Sequence, residues 1–360
     1  MKRDIKSMLL PELREYFLAA GEKAFRAEQV FMWLHSESAG AQSGNAAAFS
    51  DMTNLPAKLR EKLNEDFIIT VPSLARSQTS LIDGTVKFLW RMHDGQAVES
   101  VVMEYDHGNT VCISSQAGCR MNCAFCASAL GGLVRNLSAS EMEDQVTLSQ
   151  FFSGRRVGNV VLMGVGEPLD NYDNVIRFIE LITHKSGMAV SARRITLSTC
   201  GITENIDKLA ECDIKLTLSV SLHAPDDETR TRLMPVNRAV GVDRLFTACG
   251  DYFRATGRRV SYEYAMISGI NDTPGQARLL SEKLRNTGSH LNLIPLNDVP
   301  ERSLKASPRE NIRAFTEILK ESGVNFTIRR KLGSDIDASC GQLRLRADGS
   351  EQQPANQAKD

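Results

Sequence analysis

The sequence has no long hydrophobic run and almost no net charge. No stretch approaches the ~18 consecutive apolar residues that a membrane-spanning helix needs, and the start, MKRDIKSMLLPELREYF, breaks its short apolar stretch with proline and charges. We therefore expect a cytoplasmic protein with no membrane partner. Because 43 Lys and Arg residues balance 44 Asp and Glu residues, the chain is no polycation, and any nucleic-acid binding must come from local basic patches.

The sequence also gives no sign of a disulfide scaffold. Eight cysteines in 360 residues, without a secretory signal, favour metal binding or catalysis instead. With 42% hydrophobic and 24% charged residues, the chain can bury a sizeable core. Its length suggests two domains, or one large domain with an accessory module.

Hydrophobic periodicity changes along the chain. Apolar positions recur at helical spacing over 11–20, 27–35 and 55–67, which predicts a small helical accessory domain over 1–80. From Val86 the period becomes two, in KFLWRM and AVESVVMEY on either side of a His-Asp-Gly turn. This pattern predicts a β-hairpin linker over 81–108.

An alternation of strands and helices follows over 109–345. Strands are predicted at 110–114, 159–163, 194–198, 215–222, 260–267 and 291–296, and helices at 138–152, 172–184, 243–255, 273–286 and 310–322. This order predicts an α/β fold, a partial (β/α)6 barrel with right-handed crossovers. Reactive groups should gather at the carboxyl ends of its strands. The polar residues 346–360 are expected to form a disordered tail.

Three cysteines, Cys119, Cys123 and Cys126, lie in GCRMNCAFC directly after the first barrel strand. Three thiolates on one tight loop can bind three irons of a four-iron cluster and leave the fourth iron open. The alternative is a structural zinc site, which would need a fourth ligand such as Cys112 or His107. Spacing alone leaves both interpretations open.

The surroundings of the triad resemble the radical S-adenosylmethionine superfamily, since Phe125 precedes the third cysteine and the second strand ends in MGVGEPLDN. From Glu99 to Leu343 the chain resembles, more narrowly, the RlmN family of RNA adenine-C2 methyltransferases. The segments that carry this resemblance are QAGCRMNCAFC, GLVRNLSASEMEDQV, GVGEPLDNYDNV, LSTCGI, SLHAPDDETRTRLMPVN, LIPLN and DIDASCGQL. ASALGG, GVGEP and Cys200 depart from the usual family pattern without removing a residue that its chemistry uses.

The resemblance implies a radical S-adenosylmethionine barrel with a [4Fe-4S] cluster on the three cysteines and S-adenosylmethionine as methyl donor and radical source. It also implies that Cys340 accepts a methyl group and forms a covalent link to RNA, and that Cys112 releases the product through a transient Cys112–Cys340 disulfide. Glu99 matches the proton-accepting carboxylate. From the residues alone, a cysteine within a strand, like Cys112, is more often a small buried hydrophobic residue, and a glutamate on an alternating strand, like Glu99, is more often exposed to solvent.

The same resemblance implies a set of residues that contact S-adenosylmethionine at strand ends. Taken singly, most of them are more often turn or cap residues, and their shared position at strand ends is what favours a site. The set is Gly166, Glu167, Ser198, Ser221, Leu222, His223 and Asn297. Cys200, Cys212 and Cys249 are interpreted as core residues, Cys200 with the least support.

RNA is the implied partner, namely 23S rRNA in its peptidyl-transferase region and tRNA at the adenosine that follows the anticodon. Basic groups at 155–156, 193–194, 258–259 and 329–331 could contact phosphates, although such groups are usually solvated surface. We further expect a monomer and a cytosolic one-electron donor. Two rival hypotheses stay open: a Cfr-type enzyme that methylates adenine C8, and a zinc-stabilised RNA-binding protein without catalytic activity.

Overall fold

One mixed β-sheet of ten strands organises the fold. The computed structural model describes residues 2–36, 46–297 and 299–343. The predicted tail at 346–360 therefore lies outside the described residues, as do the last two residues of the predicted barrel.

The elements below carry the labels used throughout. The helices are α1 (Leu10–Ala19), α2 (Phe25–His35), α3 (Ala57–Asp66), α4 (Ala139–Ser153), α5 (Tyr172–Thr183), α6 (Thr203–Glu211), α7 (Asp227–Leu233), α8 (Val242–Thr256), α9 (Pro274–Leu284) and α10 (Arg309–Glu321). The strands are β1 (Arg3–Asp4), β2 (Phe67–Ile68), β3 (Ser73–Thr79), β4 (Val86–Arg91), β5 (Ala97–Tyr105), β6 (Gly108–Cys112), β7 (Gln116–Gly118), β8 (Leu133–Asn136), β9 (Val157–Leu162), β10 (Ile195–Thr199), β11 (Thr217–Ser221), β12 (Ser261–Met266), β13 (His290–Pro295) and β14 (Phe326–Ile328).

The parallel part of the sheet is the predicted α/β barrel. Its strands run β6-β9-β10-β11-β12-β13-β14, each paired in parallel with the next. All six predicted strands are present, and α4, α5, α8, α9 and α10 lie where helices were predicted. The three-residue β14 and the helices α6 and α7 were not predicted. The fold class is confirmed, with one additional short strand at the edge.

The predicted hairpin is also present, but it extends the sheet rather than standing apart from it. β4 and β5 pair antiparallel, and β5 pairs in turn with β6, so that Val101 lies opposite Cys112. Because side chains alternate along a strand, Glu99 and Val101 project from the face that also carries Cys112. The domain divisions at 80 and 108 stay a prediction.

The N-terminal helices pack against α4 of the barrel. This helix is buried along nearly its whole length, charged residues included. Lys6 forms a buried ion pair with Asp144, and His35 Nδ1 lies 2.7 Å from Glu143 Oε2. These buried polar contacts attach the N-terminal region to the barrel. Among the described residues, no helix combines the length and apolar character required to cross a membrane.

Candidate active site

The cysteine triad lies on a loop closed by the hairpin of β7 and β8. The Cys119 backbone N–H donates to the Gly132 carbonyl at 2.8 Å, and the Ala124 N–H donates to the Leu233 carbonyl at 2.8 Å. Gly118 has a φ of +80°, and a Cβ there would collide with the Gly132 carbonyl. Glycine is therefore required at the point where the loop begins.

All three cysteines face one cavity, which we call the first cavity. Burial raises the pKa of the Cys119 thiol to about 12, and burial together with the neighbouring thiols raises that of Cys123. Within the described ranges, no three His, Cys, Asp or Glu side chains are gathered closely enough to hold a single metal ion. In a four-iron cluster each thiolate binds a different iron, so its ligands stand farther apart than those of one ion. The all-sulfur donor set and its spread fit a cluster.

The proposed zinc ligands are not brought together with the triad. Cys112 and His107 line a different cavity, described below, and neither lines the first cavity. The structure therefore gives the triad no fourth ligand from the two residues that the zinc hypothesis named.

The first cavity encloses about 970 Å³ of empty space, including its open mouth. Its walls come from the carboxyl ends of β9, β10, β11, β12 and β13, as expected for reactive groups in a parallel barrel. Residues of the predicted S-adenosylmethionine set that line it are Gly166, Glu167, Ser198, Ser221, His223 and Asn297, and Cys340 lines it as well.

Gly166 and Glu167 follow β9 and lie against Gln116. Gly166 has a φ of +109°, and a Cβ there would come within 2.6 Å of Gln116 Cβ. The Glu167 carboxylate is buried and accepts hydrogen bonds from the Leu169 N–H at 3.0 Å and the Cys200 N–H at 2.7 Å. Burial raises the pKa of Glu167. Both residues are held at the cavity wall, and the Glu167 carboxylate already accepts two backbone hydrogen bonds.

His223 presents a neutral imidazole to the first cavity. Its Nδ1 accepts a hydrogen bond from the Ala265 N–H at 2.9 Å, so the ring proton is on Nε2. Burial lowers the pKa of His223 to about 3, and its ring meets Phe125 edge-on at 4.6 Å. Leu222, by contrast, is a core side chain that does not line the cavity. Its N–H donates to the Glu263 carbonyl at 3.0 Å, so Leu222 contributes by setting the positions of its neighbours.

A second cavity adjoins the first and has Cys340 at the junction. Met163, Asn297, Arg329 and Cys340 line both cavities, whereas Cys112 lines the second. Asn297 Nδ2 donates to the Cys340 carbonyl at 3.0 Å, and Arg329 Nη1 lies 3.4 Å from Cys340 Sγ. Of the predicted basic groups, Arg329, Arg330 and Lys331 line this second cavity.

Cys112 and Cys340 come from opposite ends of the barrel sequence and line the same second cavity. Both are free thiols. Cys112 is buried in a small apolar cluster with Val101, Ala338 and Leu343. Burial, followed by the charge of Cys340, raises the pKa of the Cys112 thiol to about 12. The structure thus brings the two predicted catalytic cysteines to one cavity in their reduced forms.

Glu99 lies on the same face of the sheet but lines neither cavity. Its side chain is buried at 5% exposure, and Glu99 Oε1 lies 3.4 Å from Lys87 Nζ. Lys87 Nζ also donates to the Asp337 carbonyl at 3.3 Å. Lys87 therefore links Glu99 to the segment that carries Cys340.

Sequence reasoning missed several polar residues around the site. Gln116 hydrogen-bonds Asn136 and Asp170 and accepts the Glu167 N–H. Glu263 lines the first cavity, and Arg230 donates hydrogen bonds to the carbonyls of Cys200 and Ser221 in its wall. Arg230 lies in SLHAPDDETRTRLMPVN, a segment already singled out, so that segment was the signal available for it. Cys200, interpreted as a core residue, is indeed buried, but it also lines the first cavity and contacts Glu167.

Comparisons with known proteins agree with this architecture. Residues 113–277 match the family model "Radical SAM superfamily", and residues 4–69 match "Ribosomal RNA large subunit methyltransferase N-terminal domain". A protein of Lachnoclostridium phytofermentans named "Probable dual-specificity RNA methyltransferase RlmN" is 49% identical over 344 residues, which cover 95% of this chain and 94% of that protein. The Bacillus subtilis protein of the same name is 46% identical and covers 95% of this chain and 93% of its own length.

A solved structure has the same fold. The crystal structure of a radical SAM methyltransferase from Sphaerobacter thermophilus superimposes with a TM-score of 0.87 at 40% identity, covering 95% of this chain and 99% of that one. Both the barrel and the N-terminal region are included in this coverage. The chain therefore belongs to the RlmN family of the radical S-adenosylmethionine superfamily.

Proposed function

We propose that this protein is a radical S-adenosylmethionine methyltransferase that methylates C2 of adenosine in the peptidyl-transferase region of 23S rRNA and in tRNA, at the position 3' of the anticodon. Relatives named as dual-specificity RNA methyltransferases support an RNA substrate. The observation that carries the proposal is that Cys340 lines both the cavity of the cysteine triad and the cavity of Cys112. One side chain there can receive a methyl group on one side and deliver it to a base on the other.

The family implies a [4Fe-4S] cluster, which Cys119, Cys123 and Cys126 would hold, and S-adenosylmethionine in the rest of the first cavity. When bound, these groups supply a methyl group and a 5'-deoxyadenosyl radical, which carbon methylation at an electrophilic position requires. The His223 imidazole offers an Nε2–H donor, and Ser198 and Ser221 offer hydroxyl groups. These side chains would orient the cofactor, with Gly166 and Glu167 facing its ammonium group and Asn297 nearby.

Cys340 is the proposed methyl acceptor. Its sulfur would lose a proton and form a bond to the methyl carbon as the bond between that carbon and the donor's sulfonium sulfur breaks, with S-adenosylhomocysteine as the leaving group. The resulting thioether carbon is the one transferred to adenine C2. Contacts to Asn297 and Arg329 fix the backbone and sulfur of Cys340 at the junction of the cavities. The neighbouring Arg330 and Lys331 would meet RNA phosphates at the second cavity.

Cys112 is the proposed resolving thiol. Its thiolate attacks the Cys340 sulfur of the RNA adduct and an S–S bond forms. The bond between Cys340 and the transferred carbon breaks, its electron pair stays on that carbon, and the carbon takes up a proton, which frees the methylated base. Glu99 is the proposed acceptor of the C2 proton. Because Glu99 is buried and lines neither cavity, that transfer requires a movement that brings its carboxylate to the second cavity. A thiol reductant then restores both cysteines.

The test is anaerobic reconstitution with iron and sulfide, followed by incubation with methyl-labelled S-adenosylmethionine, a one-electron reductant and unmodified 23S rRNA or tRNA. Nucleoside mass spectrometry should detect 2-methyladenosine, and the C340A variant should load the cluster but form no product. An 8-methyladenosine product would replace this proposal with the Cfr-type reaction. A colourless protein whose RNA binding is indifferent to C340A would support the zinc hypothesis.

The cellular setting follows from the same proposal. An RNA methyltransferase that needs a reduced cluster and two reduced cysteines suits the cytoplasm, where thiols are kept reduced. We propose that it acts there as a monomer and receives electrons from a cytosolic one-electron donor. Size-exclusion chromatography with light scattering would test the monomer, since a mass of twice 39.7 kDa would contradict it.

A further inference from the structure

Arg230 is a buried cation whose hydrogen bonds all go to neutral oxygens. It lies on α7 with 1% of its surface exposed. Its Nε donates to the Leu222 carbonyl at 3.1 Å, Nη1 donates to Asn237 Oδ1 at 2.7 Å, and Nη2 donates to the carbonyls of Cys200 and Ser221 at 2.6 and 3.1 Å. A guanidinium keeps its charge inside a protein, so a full positive charge lies here.

Such a charge is expensive to bury without a counter-ion. In the part of the chain that the structure describes, Arg230 forms no ion pair within 4 Å. Asp227 acts on it from farther away, and Asp227 Oδ1 already accepts hydrogen bonds from Asn237 and the Val242 N–H. Elsewhere the protein pairs a buried cation directly, as Lys6 with Asp144. Among the described residues, Arg230 therefore has no counter-ion in direct contact.

The negative charge that would balance Arg230 belongs on the side of the first cavity. The carbonyl groups of Cys200 and Ser221 that Arg230 holds come from the ends of β10 and β11, and both residues line that cavity. Burial lowers the pKa of Arg230, whereas a negative charge on the sulfur of Cys200 or Cys123 would raise it. In addition, α7 contacts the cysteine loop directly through the hydrogen bond from Ala124 to Leu233.

We propose that Arg230 is the counter-charge of the cluster on Cys119, Cys123 and Cys126, and that it raises the reduction potential of that cluster. The cluster with its thiolates is anionic and becomes more so when it accepts one electron from the external donor, so a nearby buried cation favours the reduced form. Arg230 is a positioning residue and is not itself changed. The proposal rests on the cluster that the family implies, and not on the RNA substrate.

The experiment separates charge from hydrogen bonding with two variants. R230K keeps the charge but loses donors, whereas R230Q keeps amide donors and loses the charge. Each reconstituted protein is titrated with reductant in the absence of S-adenosylmethionine and RNA, and the reduced cluster is followed by electron paramagnetic resonance. At a fixed potential, R230Q should hold about tenfold less reduced relative to oxidised cluster, equivalent to about 59 mV for a one-electron couple, while R230K should stay near the unsubstituted protein.

The outcomes decide the proposal. Loss of the cluster from R230Q alone, with R230K loaded and unchanged in potential, supports it. Equal potentials in the two variants, or loss of the cluster from R230K, overturn it, because the hydrogen bonds rather than the charge would then matter. A shift that appears only after S-adenosylmethionine is added assigns the counter-charge to the carboxylate of that cofactor and also overturns it. RNA methylation, measured separately, reports on the proposed function alone.

Discussion

Replacing Cys112 with alanine should halt the reaction with RNA still joined to Cys340. In the proposed sequence, a thiol must attack the Cys340 sulfur before the base is released, and Cys112 lies at the cavity that Cys340 also lines. Without that thiol, each enzyme molecule completes the carbon–carbon bond to adenine once and then stops. We expect a covalent protein–RNA species in place of multiple turnover.

The structural cost of the change is small enough that unfolding cannot explain the result. Cys112 is 6% exposed and packs in a small apolar cluster. Removing its sulfur resembles the loss of roughly one buried methylene, so the free energy of unfolding should fall by about 1 kcal/mol. Urea unfolding of the apoprotein would measure this loss.

The assay is denaturing electrophoresis of the reaction mixture, followed by mass spectrometry of the peptide that carries Cys340. C249A is the matched control, because Cys249 on α8 is 2% exposed and packs in the main hydrophobic core. C249A should lose similar stability, form no adduct and turn over normally. Normal turnover without an adduct in C112A would remove Cys112 from the mechanism, and an adduct in C249A would show that the trapping is not specific.

Three further changes test the site and its support. G166A would place a Cβ 2.6 Å from a side-chain carbon of β7 at a φ of +109°, so urea unfolding should show a loss of about 2–4 kcal/mol, whereas G131A, with open space around its Cβ, should lose little. Burial holds the pKa of His223 near 3, so the unfolded chain binds a proton below about pH 6.5 that the folded protein does not. His223 therefore leaves the free energy of unfolding unchanged above that pH and lowers it by about 1.4 kcal/mol per pH unit as the pH falls towards 3. H223N, in which asparagine tolerates the positive φ, should show a shallower decline of the free energy of unfolding with falling pH. K6M leaves Asp144 buried without its ion-pair partner and should cost about 3–5 kcal/mol, most of it recovered in K6M/D144L; equal losses in both would contradict the pairing.

The sequence predicted the fold well wherever a pattern extended over several apolar positions. The six barrel strands and the hairpin were predicted because alternation and short apolar runs identify them. β14 was missed because only three residues pair at the sheet edge. α7 was missed because its sequence, DETRTRL, has no apolar periodicity. Its first turn is held instead by Asp226, whose side chain accepts the Thr229 N–H at 2.7 Å.

The sequence located the cysteines, the strand ends and the basic group 329–331 of the candidate site, but not Arg230 or Glu263. Spacing alone left the triad open to a cluster or to zinc, and the resemblance carried by the ordered segments implied the roles of Cys112 and Cys340. The proposed role of Arg230 was not predictable, because three of its four hydrogen-bond acceptors are backbone carbonyls outside α7. The link from Glu99 through Lys87 was equally unpredictable, because Lys87 donates to the Asp337 carbonyl, more than two hundred residues away. Long-range contacts of this kind leave no local pattern.

The segment that carries Cys340 is attached at both ends, to the β3–β4 turn and to the cysteine loop. At one end, Asp335 accepts hydrogen bonds from Ser80 and Leu81 in the β3–β4 turn. At the other end, the Ala127 N–H, next to Cys126, donates to the Gly341 carbonyl at 2.8 Å. In the proposed mechanism, a cysteine loop that is not folded would leave Cys340 without the second of these two attachments. The position of Cys340 and the conformation of the loop that holds Cys126 are thus coupled through one backbone hydrogen bond.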